Sequence, residues 1–407
     1  METQAQVLNT PTKPAVNENI VIVLLAAINF THIMDFVIMA PLNPILKKEF
    51  GITTGEFSFL VAAYTLSAGV SGIISSFFID RFDRKAAIIT LYFGFVVSNL
   101  CCALAPDYAI FLISRVIAGF FGGILASLIF SVIGDVVPPQ RRGKATGIVM
   151  SAFSAASVIG IPIGLHLAGT INWKAPFMLL TVLSGIVLIL CYRMFPSLTG
   201  HMTAKRNPPL ETILAVLRNP NLLWSLSFTA MLMLAGFSVV PFVSDYLGAN
   251  IGLTTAELGY VYFFGGLATA VSGPLVGRLA DKFGKQRVFV IAAVASIAPM
   301  LIITSLPALS LTIVLIYTTI FFICFGARFV PAIALITGSV SHQQRGSFMS
   351  INSSVQQLSS SIAAFGAGLA LVNTTDGHVI NFNYVGYFAC AAIVACIFIS
   401  YKIKQVS

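Results

Sequence analysis

Charge is the scarcest property of this chain. Only 9% of its 407 residues are Asp, Glu, Lys or Arg, where a soluble domain carries about 25%. Twenty-three basic and fourteen acidic side chains cannot cover the water-facing surface of a chain this long. That excludes an ordinary cytosolic enzyme, a secreted domain and a disordered segment. The six cysteines, at 101, 102, 191, 324, 390 and 396, sit in or beside apolar runs without metal-ligand spacing. They read as small membrane-facing residues rather than disulfides or metal ligands. No Gly-x-x-x-x-Gly-Lys-Ser/Thr phosphate loop occurs, so no ATP machinery is visible. The polar first eighteen residues lack a short basic lead and a small-residue cleavage site, and no cleavable leader is expected.

What the chain has is long apolar runs, with 57% hydrophobic residues overall. At about 20 residues per crossing, it has room for a dozen membrane helices. The runs fall at 20–46, 57–79, 86–105, 109–133, 145–169, 175–195, 220–245, 258–279, 288–306, 310–336, 347–371 and 384–401. Twelve spans put both termini on one side. The segments on that side hold eighteen basic residues, from Lys13 to Lys404, and those on the other only Lys47, Lys48 and Lys174. Basic residues gather on the cytoplasmic side, so both termini are expected there. The net charge of +9 therefore writes topology and does not imply nucleic acid.

The longest polar interruption, residues 196–219, holds Pro196, Pro208 and Pro209 and divides the spans six and six. The flanking halves repeat each other. Gly51-Ile-Thr-Thr-Gly-Glu56 matches Gly252-Leu-Thr-Thr-Ala-Glu257 at an offset of 201, and Asp80-Arg-Phe-Asp-Arg-Lys85 matches Asp281-Lys-Phe-Gly-Lys-Gln286 at the same offset. Gln140-Arg-Arg-Gly143 matches Gln343-Gln-Arg-Gly346 at 203. The expected organisation is a six-helix bundle over 1–195, a cytoplasmic linker over 196–219 and a second bundle over 220–407. Duplicated halves of this kind work by rocking about a central site.

Three motifs carry a resemblance. After span 2 comes Ser76-Phe-Phe-Ile-Asp80-Arg81-Phe-Asp83-Arg84-Lys85, with its copy Gly277-Arg-Leu-Ala-Asp281-Lys282-Phe-Gly-Lys-Gln286. Span 4 holds Arg115-Val-Ile-Ala-Gly119-Phe-Phe-Gly122-Gly123, and span 5 holds Gly160-Ile-Pro162-Ile-Gly164, followed by Trp173 and Phe177. Together with Asp35-Phe-Val-Ile-Met-Ala-Pro41 in span 1, these resemble the major facilitator superfamily, and within it the twelve-helix drug:proton antiporters of the sugar, nucleoside and drug efflux branch. The resemblance covers nearly the whole chain. It implies an all-α polytopic membrane protein, twelve helices in two pseudo-symmetric six-helix bundles, in a bacterial inner membrane. The loop charges Asp80, Arg81, Arg84, Asp281 and Lys282 would form a conformational latch with the cytoplasmic end of span 11 near Asn352. The alternative is that they only set topology. Two family glycines are here Ser76 and Asp83; aspartate tolerates left-handed geometry better than most residues, so the turn is expected to persist. The small residues of span 5, Ser154, Ser157 and Ala168 with the exporter-like Gly160, Pro162 and Gly164, are expected to allow close approach to the partner half.

Ionisable residues inside spans mark function, because charge in lipid is expensive. Of fourteen acids only Asp35 lies deep in a span, and Asn29, His32 and Asp35 follow at i,i+3 steps on one stripe. Asp35 reads as a carboxyl whose proton is exchanged during transport, with Arg115 and His32 as partners in coupling; the bland alternative is a cap beside Pro41 and Pro44. Burial opposes its charge and Arg115 supports it, a competition that tunes proton release. Gly236 holds the repeat-related position. Arg328 in span 10 is either a ligand for a solute anion or a structural donor to helix carbonyls. His166 reads as a packed histidine, and Asn352, Gln356 and Gln357 as hydrogen bonders between the bundles. The substrate cavity is expected around Asn29, Asp35, Arg115 and Arg328. The expected activity is proton-driven export of a small organic solute (drug, sugar, nucleoside or similar metabolite) by a monomer in lipid, with neither cofactor nor metal. Uniport or proton-coupled import on the same scaffold is the alternative. A receptor or intramembrane enzyme is disfavoured, since His32 and His166 have no convincing catalytic partner set.

Overall fold

The computed structural model describes residues 17–138, 141–203, 209–341 and 345–406. Lys13, Gln140, Lys205, Arg206, Pro208 and Gln343 lie outside the described residues. Twelve long helices make up the described fold: α1 (Glu18–Val37, carried on past Ile38 by Met39–Phe50), α2 (Thr54–Ser75), α3 (Arg84–Leu104), α4 (Tyr108–Val136), α5 (Arg142–Thr170) and α6 (Ala175–Met194). A short linker helix, Pro209–Arg218, leads to α7 (Pro220–Ile251), α8 (Thr255–Phe283), α9 (Lys285–Ile303), α10 (Leu311–Gly338), α11 (Arg345–Ala370) and α12 (Phe382–Ser400). Eleven of these are long and apolar enough to cross a membrane. The twelfth, α11, carries Asn352, Gln356, Gln357 and a run of serines, and packs against both halves. A two-stranded antiparallel hairpin, β1 (Val372–Asn373) and β2 (Val379–Ile380), joins α11 to α12.

The repeated Gly-x-Thr-Thr-x-Glu is a helix stop-and-restart signal. Gly51 and Gly252 end one helix with φ of 62° and 84°, a conformation that glycine adopts without a Cβ penalty. Two residues on, Thr53 with Glu56 and Thr254 with Glu257 form reciprocal capping boxes that open α2 and α8.

Helix packing repeats as well. In the first half α2 packs on α4, α3 on α4 and α6, and α1 on α5 and α6. In the second α8 packs on α10, α9 on α10 and α12, and α7 on α11 and α12. The halves meet chiefly through two pseudo-symmetric pairs, α2 with α11 and α5 with α8. This is a two-bundle, twelve-helix membrane fold.

Small residues set these contacts. Gly119 and Gly123 lie against the backbone of Tyr64 and Ala68 on α2, where a side chain would collide with a carbonyl. Gly160 and Gly164 approach Met34 and Ile38 of α1. These two glycines therefore join helices of one half, not the partner half. The stripe meets the partner half at Ser157, as expected, where the backbone of Ser157 and Val158 comes within 3.2 Å of where a Gly266 side chain would begin. A π-helical segment, Ala156–Gly160, interrupts α5 there, just before Pro162.

Candidate functional site

The stripe on α1 is buried as a unit. Asn29, His32 and Asp35 all lie inside the first bundle. Asn29 donates to the Val149 carbonyl of α5 at 2.8 Å. His32 points to α4, where Gly122 leaves room for its ring, and neither ring nitrogen has a partner among the described residues. Asp35 accepts from Arg115 Nη1 of α4 in a fully buried ion pair. The Arg115 guanidinium lies over the ring of Tyr64 on α2, 4.3 Å from its centre. Three helices thus converge on one carboxylate. Tyr64 also stacks on Phe36, and Phe36 meets Phe237 of α7 at 5.5 Å between ring centres. Phe36 and Phe237 are themselves repeat-related, so they meet near the pseudo-two-fold axis.

The second half treats the equivalent place differently. Gly236 stands where the first half has Asp35, and the Phe325 ring of α10 lies where its side chain would be. Arg328, one turn further along α10, is 1% exposed, and its guanidinium lies 5.2 Å from the centre of the Phe325 ring. The thiols of Cys324, Cys390 and Cys396 are within electrostatic reach of it, but none of its three nitrogens has a hydrogen-bond partner among the described residues. The structure does not join Arg328 to Asn29, Asp35 and Arg115, which lie in the other half.

In the loop after α2, Arg84 is buried and holds Asp80 at 2.8 Å and Asp135, at the end of α4, at 2.8 Å. Arg81 is exposed, as are Asp281 and Lys282 in the copy. Asn352 accepts from Thr229 of α7 at 2.6 Å, a bond within the second half rather than between the bundles. Asp83 is not left-handed: its φ is −56°, whereas Gly284 at the matching position has φ of 94°. The aspartate avoids strain by capping α3 through Lys85 N, and its carboxylate also accepts from Leu198 N at 2.7 Å and Ser197 Oγ at 2.9 Å. It thereby ties the start of the linker to this loop. His166 is exposed, not packed. All six cysteines are free; Cys102, Cys191 and Cys396 are buried inside the bundles rather than facing lipid.

Sequence reasoning missed a polar clasp on the face opposite this loop. Lys47 Nζ binds both oxygens of Asp245 on α7, at 2.9 and 2.7 Å, and donates to Thr54 Oγ1 at 2.7 Å. Thr54 donates in turn to Asp245, and its backbone N–H reaches Asn373 in the hairpin. One turn inward, Asn43 donates to the Pro241 carbonyl at 3.1 Å. Lys47 counted only as a topology charge, and no local pattern links residues 198 positions apart. On this face the halves are sealed. Toward the other, α8 buries no residue between 267 and 279, although 258–266 includes five buried ones. That stretch of α8 still meets α10, through Thr269 against Gly326 and Gly277 near Val330, but it has no buried face.

A family model described as Major Facilitator Superfamily matches residues 25–364 and again 226–403. The chain is 27% identical over 261 residues to the uncharacterized MFS-type transporter YceJ of Bacillus subtilis (strain 168), covering 61% of this chain and 64% of YceJ. It is 25% identical over 241 residues to the inner membrane transport protein YdhP of Escherichia coli (strain K12), covering 59% of this chain and 61% of YdhP. The matched stretch is thus under two-thirds of each relative's length. Among solved structures, a D-xylose-proton symporter superposes with a TM-score of 0.76 at 15% identity, over 95% of this chain and 98% of the symporter. At that identity the likeness is one of fold.

Proposed function

This chain belongs to the Major Facilitator Superfamily, and from that premise we propose that it exports a small organic solute in exchange for protons. It is a multi-pass membrane transporter with relatives in bacterial inner membranes. The bodies that rock are residues 1–195 and 220–407, with 196–219 as the cytoplasmic linker. Both termini are placed in the cytoplasm by the eighteen-to-three bias of basic residues. The solute is a drug, sugar, nucleoside or similar metabolite, carried by a monomer.

One observation carries this reading: the fully buried Asp35–Arg115 pair, with His32, whose ring nitrogens have no partner among the described residues, one turn away on the same helix. An ion pair this deep is costly unless its charge state does work. In the proposed cycle a proton from outside neutralises Asp35 and loosens its hold on Arg115. With the guanidinium freed, the preferred arrangement of α1, α2 and α4 changes. The carboxyl then deprotonates on the cytoplasmic side and recaptures Arg115. His32 passes the proton, and Asn29 holds α1 on α5 as the cavity edge. The Asp80–Arg84–Asp135 cluster stiffens the cytoplasmic end of the first bundle, so that α2 and α4 move together. Proton and solute each alter the other's binding free energy by an equal amount.

Asp35→Asn fixes the neutral form. In proteoliposomes with an imposed pH gradient, the variant should lose uphill transport while downhill exchange persists, and solute affinity should no longer vary with pH. Accumulation at the wild-type rate would remove Asp35 from the coupling step. Flux in the opposite direction under the same gradient would make the chain an importer.

A further inference from the structure

Among the described residues three cations are buried, and two of them have carboxylate partners. Arg84 has Asp80 and Asp135, and Arg115 has Asp35. Arg328 has no ion pair among the described residues, with all three guanidinium nitrogens unpartnered at 1% exposure. A charge buried in low dielectric without acceptors is strongly disfavoured unless something outside the helix supplies them. Pro331 sits one turn beyond and leaves only the Ala327 carbonyl without its usual helical donor. One carbonyl cannot serve five N–H groups.

We propose that Arg328 and the aromatic row of α10 form an organic-anion site, and that the anion is the transported solute. The surroundings favour this chemistry. Phe321, Phe325 and Phe329 follow one another along α10 with ring centres 5.9 and 5.1 Å apart, giving an apolar strip beside the cation. Phe325 lies against Gly236, next to the Phe36–Phe237 contact between the bundles. The site therefore borders the surface along which the halves separate. Phe325 and Phe329 are half-buried and are the rings that swing aside when the site fills. A carboxylate or phosphate monoester takes the guanidinium fork in two parallel bonds, and its apolar body covers the rings. A lipid headgroup offers the same phosphate, but Arg328 stands ten residues before the end of α10, about 15 Å inside. The solute source is favoured for that reason. The inference rests on the transport reading only in naming the anion as cargo.

The test is a binding measurement that is independent of flux. The purified full chain in detergent is titrated with benzoate, inorganic phosphate or phosphatidylglycerol, with chloride holding ionic strength constant, and thermal unfolding is followed. Benzoate should raise the midpoint saturably by about 2–4 °C. The rise should vanish in Arg328→Gln and survive in part in Arg328→Lys. No saturable rise with either soluble anion, an equal rise in Arg328→Gln, or a rise with phosphatidylglycerol alone would each overturn the proposal. If Arg328→Gln does not fold, alkylation is read instead in a variant that keeps only Cys324, one turn before Arg328. Benzoate should slow that alkylation severalfold, and an unchanged rate would overturn the site. Loss of proton-driven export leaves this binding untouched, so the two readings fail separately.

Discussion

Helix for helix the two halves repeat each other's packing, yet they divide the charge unequally. The first half spends acids on its buried arginines: Asp35 on Arg115, and Asp80 with Asp135 on Arg84. The second half has Gly236 where the first has Asp35, Lys285 where it has Arg84 and Gly338 where it has Asp135, and among the described residues it leaves Arg328 without a carboxylate. What both copies retain are the signals that build helices, namely the left-handed glycines and the Thr-x-x-Glu capping boxes. The difference teaches that backbone signals define the fold, while buried charge belongs to what each half does. One half neutralises its buried arginines internally; the other leaves its buried arginine without an acid among the described residues.

The largest test of this contrast is one substitution made in both halves. Arg115→Met leaves Asp35 buried and alone, and should cost about 3–5 kcal/mol. Arg328→Met removes a charge that has no internal partner, and should be neutral or stabilising. Thermal unfolding in detergent reads both, and equal losses would erase the distinction. A smaller effect is expected where charge crosses between halves. Asp245→Asn keeps its bonds to Thr54 but gives up the ionic bond to Lys47, weakening the sealed arrangement by about 1.5–3 kcal/mol. Spin-label distances across that face should show a larger open population; an unchanged distribution would mean that packing alone seals it. The smallest effect comes from making the first loop like its copy. Asp83→Gly removes the cap of α3 and the bonds to Ser197 and Leu198, at about 1 kcal/mol. Proteolysis of the linker should quicken in that variant while transport continues.

The spans were legible because twenty-residue apolar runs with capping residues between them admit few alternatives. Their observed ends fall within a few residues of the expected ones, apart from the far ends of α1 and α7, which run on into the clasp. The Asp35–Arg115 pair was legible for a similar reason, since a charge within lipid requires a partner and few were on offer. Contacts decided by helix rotation were not legible. Gly160 and Gly164 turn toward α1, and Asn352 turns toward Thr229, because a stripe of small or polar residues does not name the neighbour it meets. The conformation of Asp83 was misjudged because its side chain had partners, Ser197 and Leu198, that lie more than a hundred residues away. The clasp was invisible for the same reason.

One feature of α1 ties these sites together mechanically. Backbone hydrogen bonds run through its apparent break, from Ile38 to Met34 and from Leu42 to Ile38, so residues 18–50 are joined into one rod, although Pro41 and Pro44 each leave one carbonyl without its helical donor. Asp35 lies near its middle and Lys47 near its tip, twelve residues or about 18 Å apart along the axis. Pivoting the rod by about 5° at the carboxyl displaces the tip by roughly 1.5 Å. That stroke is enough to pull Lys47 off the 2.7 and 2.9 Å contacts that it makes with Asp245. The buried carboxylate and the Lys47–Asp245 clasp are then the fulcrum and the far end of one lever, and a change of charge at one is felt as distance at the other.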